Sequence, residues 1–285
     1  MKLCRFLLDD NQPRIGLTLD DVTVTDLAAV GVECLADVLE AENASAHLQH
    51  LAEATMQSVR LASVRLLPPI ERQEVWAAGV TYLRSMKARM AESEFSASAY
   101  DRVYDAERPE IFFKSMPEKV VGPGAPVGIR RDAKWNVPEP ELALVLNSRG
   151  AVVGYTIGND MSSRDIEGEN LLYLPQAKVY KASCALGPFI HIGASEADAR
   201  NWTIHLEILR GGAEVFAGMT SVDKIKRSFN DLAGFLYRSQ EFKHGAVLLT
   251  GTGVVPPDDF TLAAGDVVRM RISGIGTLEN PVAVV

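Results

Sequence analysis

Cysteine is scarce in this sequence, and the few cysteines lie far apart. Cys4, Cys34 and Cys184 form no CxxC pair. An odd, widely spaced set argues against a disulfide framework and is typical of a reducing compartment. We therefore expect a cytoplasmic protein whose fold is held together by its apolar core, which a chain of 285 residues is long enough to build.

Long apolar runs are also lacking. No stretch approaches the roughly 18 apolar residues that a membrane-spanning helix needs. The short apolar run at the N-terminus is followed by Asp9 and Asp10 and by no small-residue cleavage site, so no signal peptide is expected. The sequence therefore predicts a protein without a membrane partner.

Positive charge is in the minority. The chain has 29 Lys and Arg against 37 Asp and Glu, which gives a formal net charge of -8. A protein that binds the phosphate backbone needs a basic surface, so we expect no nucleic-acid partner. An anionic small substrate is still compatible with this charge, because a metal ion and a few local cations make a single pocket positive.

The pattern of residue types along the sequence changes near residue 67. Strand-like runs and helical patterns at residues 27–40 and 44–62 come first, and Pro68 and Pro69 then break any helix. Short β-branched runs punctuated by glycine and proline follow, which is typical of a roll or barrel.

We therefore predict an α+β, strand-rich protein with two domains. A small N-terminal α+β domain would span residues 1–66, and a larger domain residues 67–285. Within the larger domain, helices are predicted at residues 81–93, 161–173 and 221–239.

Three acidic residues lie at one end of a predicted hairpin. Glu139 and Glu141 are two apart in a strand, so their side chains share a face. A turn at 147–150 would bring Asp160, at the end of the next strand, close to Glu139. Carboxylates this close repel one another unless a cation neutralises them, and Mg²⁺ or Mn²⁺ takes such oxygen ligands. The alternative is a solvated strand face, and the spacing alone does not decide between the two.

Cationic side chains follow this hairpin. Arg164 is suited to a substrate carboxylate through a bidentate fork, and Lys178, on a predicted strand, through its point charge. The alternative is that Arg164 forms a structural ion pair with Asp160 or Asp165 and that Lys178 is solvated.

Together these segments resemble the fumarylacetoacetate hydrolase family. The resemblance runs from about Leu66 to the C-terminus and rests on LLPP, GVTY, FFKSMP, VVGPG, the Glu139 and Glu141 pair, NDMSSRD, AKVYKASCALGP and TGTG, in the family's order. It implies a mixed β-roll catalytic domain, a homodimer or a dimer-based tetramer, and one Mg²⁺, with Mn²⁺ and Ca²⁺ as alternatives. The implied metal ligands are Glu139, Glu141 and Asp160.

The resemblance also implies how substrate is held. Arg164 and Lys178 would face the substrate, and the hydroxyl of Thr252 with neighbouring backbone N–H groups would hold its carboxylate. Gly251 would let the backbone approach closely. Thr250 is the alternative to Thr252, and a plain glycine-rich turn is the alternative for the whole loop.

One departure from the family pattern bears on the chemistry. Members that hydrolyse carbon–carbon bonds carry a histidine just after the conserved tyrosine, where it helps to activate water. Here Tyr82 is followed by LRSMKARMAES, which has no histidine. GVTYLRS, RPEIFFK, WNVPEPELALVL and GNDMSSRDIEGEN resemble instead the family's 2-keto-3-deoxy-pentonate dehydratases, although Leu171 stands where that pattern has proline.

This closer resemblance implies a lyase of pentose sugar-acid catabolism. It would dehydrate 2-keto-3-deoxy-D-arabonate or xylonate, an anionic 2-oxo acid, to 2-oxoglutarate semialdehyde through a metal-stabilised enolate. Lys178 is the first choice for the base, because burial favours the neutral amine. Glu110 and Glu92 are candidates for the acid that helps hydroxide to leave, and Tyr82 and Arg84 for substrate binding.

Two other functions are compatible with these residues. The first is a hydrolase or decarboxylase of the same family that acts on an acylpyruvate, a 2,4-diketo-3-deoxy acid or oxaloacetate with the same metal. The second is a non-catalytic, metal-dependent binding protein on the same fold. The intact set of metal ligands, together with Arg164 and Lys178, argues against the second.

Overall fold

The described part of the chain, residues 1–54, 58–82 and 103–285 of a computed structural model, is rich in β-strands, which confirms the predicted class. The strands are β1 (Lys2–Leu7), β2 (Pro13–Thr18), β3 (Thr23–Asp26), β4 (Ser58–Arg60), β5 (Arg65–Leu67), β6 (Glu74–Gly79), β7 (Glu110–Ser115), β8 (Val127–Ile129), β9 (Asn136–Val137), β10 (Pro140–Leu146), β11 (Val152–Asp160), β12 (Ser162–Ser163), β13 (Cys184–Ile192), β14 (Thr203–Arg210), β15 (Ala213–Ser221), β16 (Ala246–Leu249), β17 (Val267–Ile272) and β18 (Gly276–Val284).

Helices are short and few in these ranges. The α-helices are α1 (Ala36–Leu39), α2 (Ala44–Ala54), α3 (Arg164–Glu169), α4 (Leu174–Lys178), α5 (Glu196–Ala199) and α6 (Phe229–Tyr237). The 3₁₀ turns are Leu27–Val30, Leu61–Ser63, Pro117–Lys119, Leu171–Tyr173 and Val222–Lys224. None of the described helices is long and apolar enough to cross a membrane.

The largest sheet runs across the predicted domain boundary. Its order is β4-β3-β2-β1-β13-β11-β10-β16-β6-β7, and an eleventh strand, β5, pairs with β1. Because β1 pairs with β13, the N-terminal strands extend the sheet of the larger region. The division between residues 66 and 67 stays a prediction.

The sheets are mixed. β16 and β6 pair in parallel, whereas β10 and β11 pair antiparallel. A second sheet has the order β15-β14-β17-β18-β8, and a small one joins β12 to β9. This mixture agrees with the predicted roll.

Strand β10 is buried along its whole length, and this positions the site. Leu142 and Leu144 on one face pack in the main core, which also includes Leu206 of β14 and Leu232 of α6. Ala143 on the opposite face belongs to another apolar cluster. Because side chains alternate along a strand, Glu141 shares the face of Ala143 at the start of this buried strand.

Two helical patterns in the N-terminal region predicted helices that are too long. In residues 27–40, a 3₁₀ turn ends at Gly31, whose φ of 84° is left-handed, and α1 forms only afterwards. In residues 44–62, α2 ends at Ala54. Residues 58–60 instead form β4, where pairing with β3 supplies the backbone hydrogen bonds.

Two helices of the larger region also start later than predicted. Ser162 and Ser163 pair with β9, so the helix predicted from residue 161 begins at Arg164. The helix predicted from residue 221 begins at Phe229, where the side chain of Ser228 caps it. In the segment predicted as a helix over residues 81–93, Thr81 and Tyr82 are not helical, and the remainder lies outside the described residues.

Candidate metal centre

The β10–β11 hairpin brings three carboxylates together at its open end. The Asn147 N–H donates to Ala151 O (3.0 Å) at the turn, and the Asp160 N–H donates to Glu139 O (3.0 Å) at the other end, which confirms the predicted hairpin. Glu139, Glu141 and Asp160 are buried, and each offers an oxygen within 4.8 Å of the others. The solvated alternative for this strand face is therefore wrong.

Burial and like charge act together on Glu141. Burial raises the pKa of Glu141 well above its usual range, and the charges of Asp160 and Glu139 raise it further. The Gly251 N–H donates to its Oε2 atom at 2.5 Å. A divalent cation would neutralise the repulsion, and a set of carboxylate oxygens is the donor set that Mg²⁺ and Mn²⁺ prefer. The residues present thus fit the predicted metal.

Two buried cations contact the same carboxylates. Lys178 Nζ donates to Glu139 Oε2 (2.9 Å) and Asp160 Oδ2 (3.0 Å), and also to Ser162 Oγ (2.5 Å). Arg164 Nη2 donates to Glu139 Oε1 at 2.8 Å. Lys178 is fully buried, so the alternative of a solvated Lys178 is wrong.

Lys178 ends helix α4, so the prediction that it lies on a strand is wrong. Pro175 stands in the first turn of α4, where its fixed φ favours a helix start. The Val179 N–H donates back to Pro175 O (2.8 Å) and closes this short helix. The strand predicted at Lys178 therefore does not form.

Seven of the eleven predicted site residues line one pocket. They are Glu139, Glu141, Asp160, Arg164, Lys178, Gly251 and Thr252. Tyr82 and Glu110 are not part of this lining. Arg84 and Glu92 lie outside the described residues.

The glycine-rich loop after β16 supports the metal centre from one side. The backbone at Gly251 has a φ of 88°, and a Cβ there would lie 2.2 Å from Thr81 Oγ1, so glycine is required. Its N–H donates to Glu141, and the hydroxyl of Thr252 donates to Val254 O at 3.0 Å. The predicted contact of this loop with a substrate carboxylate stays a prediction.

Tyr82 packs behind this loop. It is 1% exposed, and a Cβ at Gly253 would come within 2.4 Å of its ring. Burial raises the pKa of Tyr82, and the charge of Glu141 raises it further, so the hydroxyl stays protonated. Among the described residues this hydroxyl has no hydrogen-bond partner. Its predicted role in substrate binding stays a prediction.

Glu110 lies directly beside the pocket. The β6–β7 register pairs it with Gly79, which lines the pocket. A Cβ at Gly79 would lie 1.9 Å from Glu110 Oε2. Glu110 also lines a neighbouring cavity with Glu167 and Leu171. The missing side chain of Gly79 therefore gives the carboxylate of Glu110 its place at the pocket edge.

If Glu110 is the acid that the family resemblance makes it a candidate for, a Gly79→Ala substitution is expected to displace its carboxylate and to lower kcat about 10- to 100-fold, part of what a general acid contributes. The fold should persist, because the displaced group is the end of a flexible side chain. Gly234→Ala in α6 is the control, since no atom lies within 4 Å of its added Cβ. Steady-state kinetics would contradict this role if Gly79→Ala lowered kcat as strongly in a Glu110→Gln background as in the wild type.

Two further polar residues of the site were not predicted from the sequence. Ser162 accepts a hydrogen bond from Lys178, as described above. Lys114 is fully buried, and its Nζ atom lies 2.5 Å from Asp160 Oδ1. A signal for Lys114 exists in the sequence, where a lysine directly follows the apolar run Ile111–Phe113.

Comparison with known proteins shows one consistent likeness. The family model for the fumarylacetoacetate (FAA) hydrolase C-terminal region matches residues 74–283. The chain is 46% identical over 217 residues to a probable 2-keto-3-deoxyxylonate dehydratase of Haloferax volcanii, a match covering 76% of this chain and 74% of that protein. It is 40% identical over 234 residues to the 2-dehydro-3-deoxy-D-arabinonate dehydratase of Saccharolobus solfataricus, covering 81% and 78%.

A solved structure shares the fold over both chains. It is a 2-keto-3-deoxy-D-arabinonate dehydratase complexed with magnesium and 2,5-dioxopentanoate, with a TM-score of 0.83 and 34% sequence identity. The match covers 100% of this chain and 99% of that chain. The predicted β-roll fold is thereby confirmed, and the likeness includes the N-terminal region as well.

Proposed function

Because the chain belongs to the fumarylacetoacetate hydrolase family, we propose that it is a metal-dependent dehydratase of a 2-keto-3-deoxy sugar acid. The substrate is 2-keto-3-deoxy-D-arabonate or xylonate, and the product is 2-oxoglutarate semialdehyde. The observation that carries this proposal is the pocket, in which three buried carboxylates meet Lys178 and Arg164. The relatives at 46% and 40% identity named above are dehydratases of this substrate class.

The two sugar-acid names describe one D-configured compound. C2 is a ketone and C3 has lost its hydroxyl, so C4 is the stereocentre that remains. The product, 2-oxoglutarate semialdehyde, is 2,5-dioxopentanoate, which is the ligand of the solved dehydratase structure. The question of specificity is therefore which configuration at C4 the pocket accepts.

Glu139, Glu141 and Asp160 would hold Mg²⁺, with Mn²⁺ or Ca²⁺ as alternatives. The cation supplies Lewis-acid stabilisation of the negative charge that develops on the 2-oxo oxygen. Arg164 binds the substrate carboxylate, because Arg164 lines the pocket and a guanidinium matches a carboxylate in shape. Thr252 lies in the same lining and assists it.

Lys178 removes the C3 proton. With Lys178 as a neutral amine, the three site carboxylates and the carboxylate of the substrate are balanced by Lys114, Arg164 and a divalent cation. The site is then neutral before the proton moves, and it stays neutral afterwards because the new ammonium faces a new enolate. Neutrality matters here, because an unbalanced charge in a buried site is costly.

Glu110 donates the proton with which the C4 hydroxyl leaves as water. Loss of the C3 proton and the C4 hydroxide forms a C3–C4 double bond, and this enone rearranges through an enol to the C5 aldehyde. Glu92 is the alternative acid, and Arg84 and Tyr82 are further substrate-binding residues of the proposal. No nucleophilic water enters the sequence of steps, so no water-activating base is required.

Histidine placement favours this dehydratase over a hydrolase. The five histidines of the chain all lie within the described ranges, and they are His47, His50, His191, His205 and His244. None of them lines the pocket. A hydrolase of the family type would need one there to activate water.

The proposal also covers the oligomeric state and the cellular compartment of the protein. We infer a cytoplasmic homodimer or dimer-based tetramer, because the family resemblance implies such assemblies. In support of the compartment, all three cysteines are free, and Cys4 and Cys184 are buried. A disulfide-forming compartment would offer this chain no stabilising cross-link.

A direct assay tests the proposed reaction. With Mg²⁺, the protein is expected to convert the D form of the 2-keto-3-deoxy-pentonate to the semialdehyde, which ¹H NMR detects as a new aldehyde signal. EDTA should abolish turnover, and Mg²⁺ should restore it. The L form, which differs only at C4, is the matched control for specificity. Failure to convert either form, together with cleavage of an acylpyruvate, would overturn the dehydratase in favour of a hydrolase.

A further inference from the structure

Lys114 joins three separate segments of the chain at one point. Its Nζ atom lies 2.5 Å from Asp160 Oδ1, and it donates to Met161 O (3.0 Å) and Lys178 O (2.5 Å). The contact with Asp160 is an ion pair, and the two contacts with main-chain carbonyls are hydrogen bonds. Lys114 is fully buried and is not part of the pocket lining. It is therefore not placed to contact a substrate.

This contact does not follow from strand pairing. Lys114 is on β7, at one end of the largest sheet, and Asp160 is on β11, from which β10, β16 and β6 separate it. The sheet curls so far that a side chain of β7 reaches the end of β11. Lys114 thus ties the end of the sheet to the metal centre and to the helix that carries Lys178.

We propose that Lys114 is a positioning residue that fixes Asp160 as a metal ligand and Lys178 as the base. It engages Oδ1 of Asp160 while Lys178 contacts Oδ2, so both oxygens of this carboxylate are oriented. Its hydrogen bond to the carbonyl of Lys178 anchors the main chain from which the base extends. This inference rests on the proposed function, in which Asp160 binds the metal.

Charge and positioning predict opposite effects on metal affinity. Removing a cation close to the metal ligands strengthens binding of a divalent cation if charge alone matters. Removing a group that orients a ligand weakens binding, typically 10- to 100-fold for partners of metal ligands. The sign of the change in the dissociation constant therefore separates the two roles.

The test is calorimetric titration of the full-length protein with Mg²⁺, without substrate, at a temperature where each variant is folded. Lys114→Met, which is of similar length but lacks donors, is expected to bind Mg²⁺ about tenfold or more weakly than the wild type. Lys119→Met is the matched control, because Lys119 is an exposed lysine of the same segment and should leave the affinity unchanged. Unchanged or tighter binding by a folded Lys114→Met would overturn the inference.

A second variant covers the case in which Lys114→Met does not fold. Lys114→Arg keeps the charge but changes the geometry of the donors. Positioning predicts weaker binding for Lys114→Arg, whereas a role of charge alone predicts wild-type affinity, and the latter result would also overturn the inference. If the wild type itself binds no Mg²⁺, the proposed metal centre fails, which is a different outcome from failure of the role of Lys114.

Discussion

A Glu141→Ala variant is expected to lose Mg²⁺ binding and dehydratase activity together. Glu141 is one of three carboxylates whose oxygens lie within 4.8 Å of one another, and it is 1% exposed. Loss of one of three charged ligands leaves an incomplete centre, because Mg²⁺ sheds its water only for several hard oxygen donors. We expect kcat/KM to fall by at least about 10³-fold, since the charge on the 2-oxo oxygen loses its stabilisation.

The same variant separates metal binding from folding. Glu141 is buried beside like charges, so its removal relieves their repulsion in the metal-free protein, which offsets the small cavity and the unpaired Gly251 N–H that it leaves. Saturation with Mg²⁺ at about 100 times the dissociation constant should stabilise the wild type by about 2.7 kcal/mol and the variant by nothing. Thermal melts with and without Mg²⁺ measure this difference.

Two companion variants sharpen the result. Glu141→Gln keeps the volume of the side chain and an oxygen for the Gly251 N–H, so it tests the charge without a cavity. Glu207→Gln makes the same chemical change on β14, where Glu207 pairs with Arg269 outside the pocket, and should leave metal binding and activity intact. Full metal binding by Glu141→Ala would refute the assignment of this ligand.

The carboxylates could be predicted from the sequence because their positions depend on local geometry alone. Glu139 and Glu141 share a face through the period of a strand, and one hairpin turn sets Asp160 opposite Glu139. The resemblance to the family then implied that these three carboxylates bind a metal ion. Each of these steps involves residues close together along the chain.

Lys114 could not be predicted in this way, because its contact depends on the curvature of the whole sheet. Between β7 and β11 stand three strands, and no pattern within FFKSMP encodes how far the sheet curls. The place of Glu110 depends similarly on the β6–β7 register, which sets it opposite Gly79. Contacts between strands that are distant in sequence are thus the part of the site that needed a structure.

Two predictions of secondary structure were wrong for a related reason. Residues 58–60 continue the apolar spacing of α2, yet they form β4 because the edge of β3 offers hydrogen bonds there. The Lys178 segment was predicted as a strand, yet Pro175 starts a helix and no neighbouring strand pairs with it among the described residues. Local spacing is a weak signal wherever a tertiary partner decides the outcome.

A Lys178→Arg variant is expected to lose at least about 10²-fold in kcat while it still binds Mg²⁺. Lys178 contacts Glu139 and Asp160 through its Nζ atom, and arginine offers N–H donors to the same carboxylates. Arginine does not deprotonate in proteins, however, so it cannot accept the C3 proton. A general base contributes about 10²- to 10⁴-fold to the rate, which sets the size of the expected loss.

Hydrogen exchange isolates the step that Lys178 performs. Pyruvate is a 2-oxo acid with C3 protons and no C4 hydroxyl, so it can be enolised but not dehydrated. In D₂O with Mg²⁺, the wild type is expected to exchange the methyl protons of pyruvate, which ¹H NMR follows directly. Lys178→Arg should abolish this exchange. Glu110→Gln should retain it, because Glu110 acts only when hydroxide leaves.

Comparing hydrogen exchange and dehydration in the two variants identifies both the base and the acid. Exchange by Lys178→Arg at the wild-type rate would exclude Lys178 as the base, whatever its effect on dehydration. Loss of exchange in Glu110→Gln alone would transfer the base role to Glu110 and leave Lys178 as a structural cation for Glu139 and Asp160. Loss of exchange in Lys178→Arg alone, with dehydration impaired in both variants, is the result expected of a lysine base and a carboxylic acid that act in sequence.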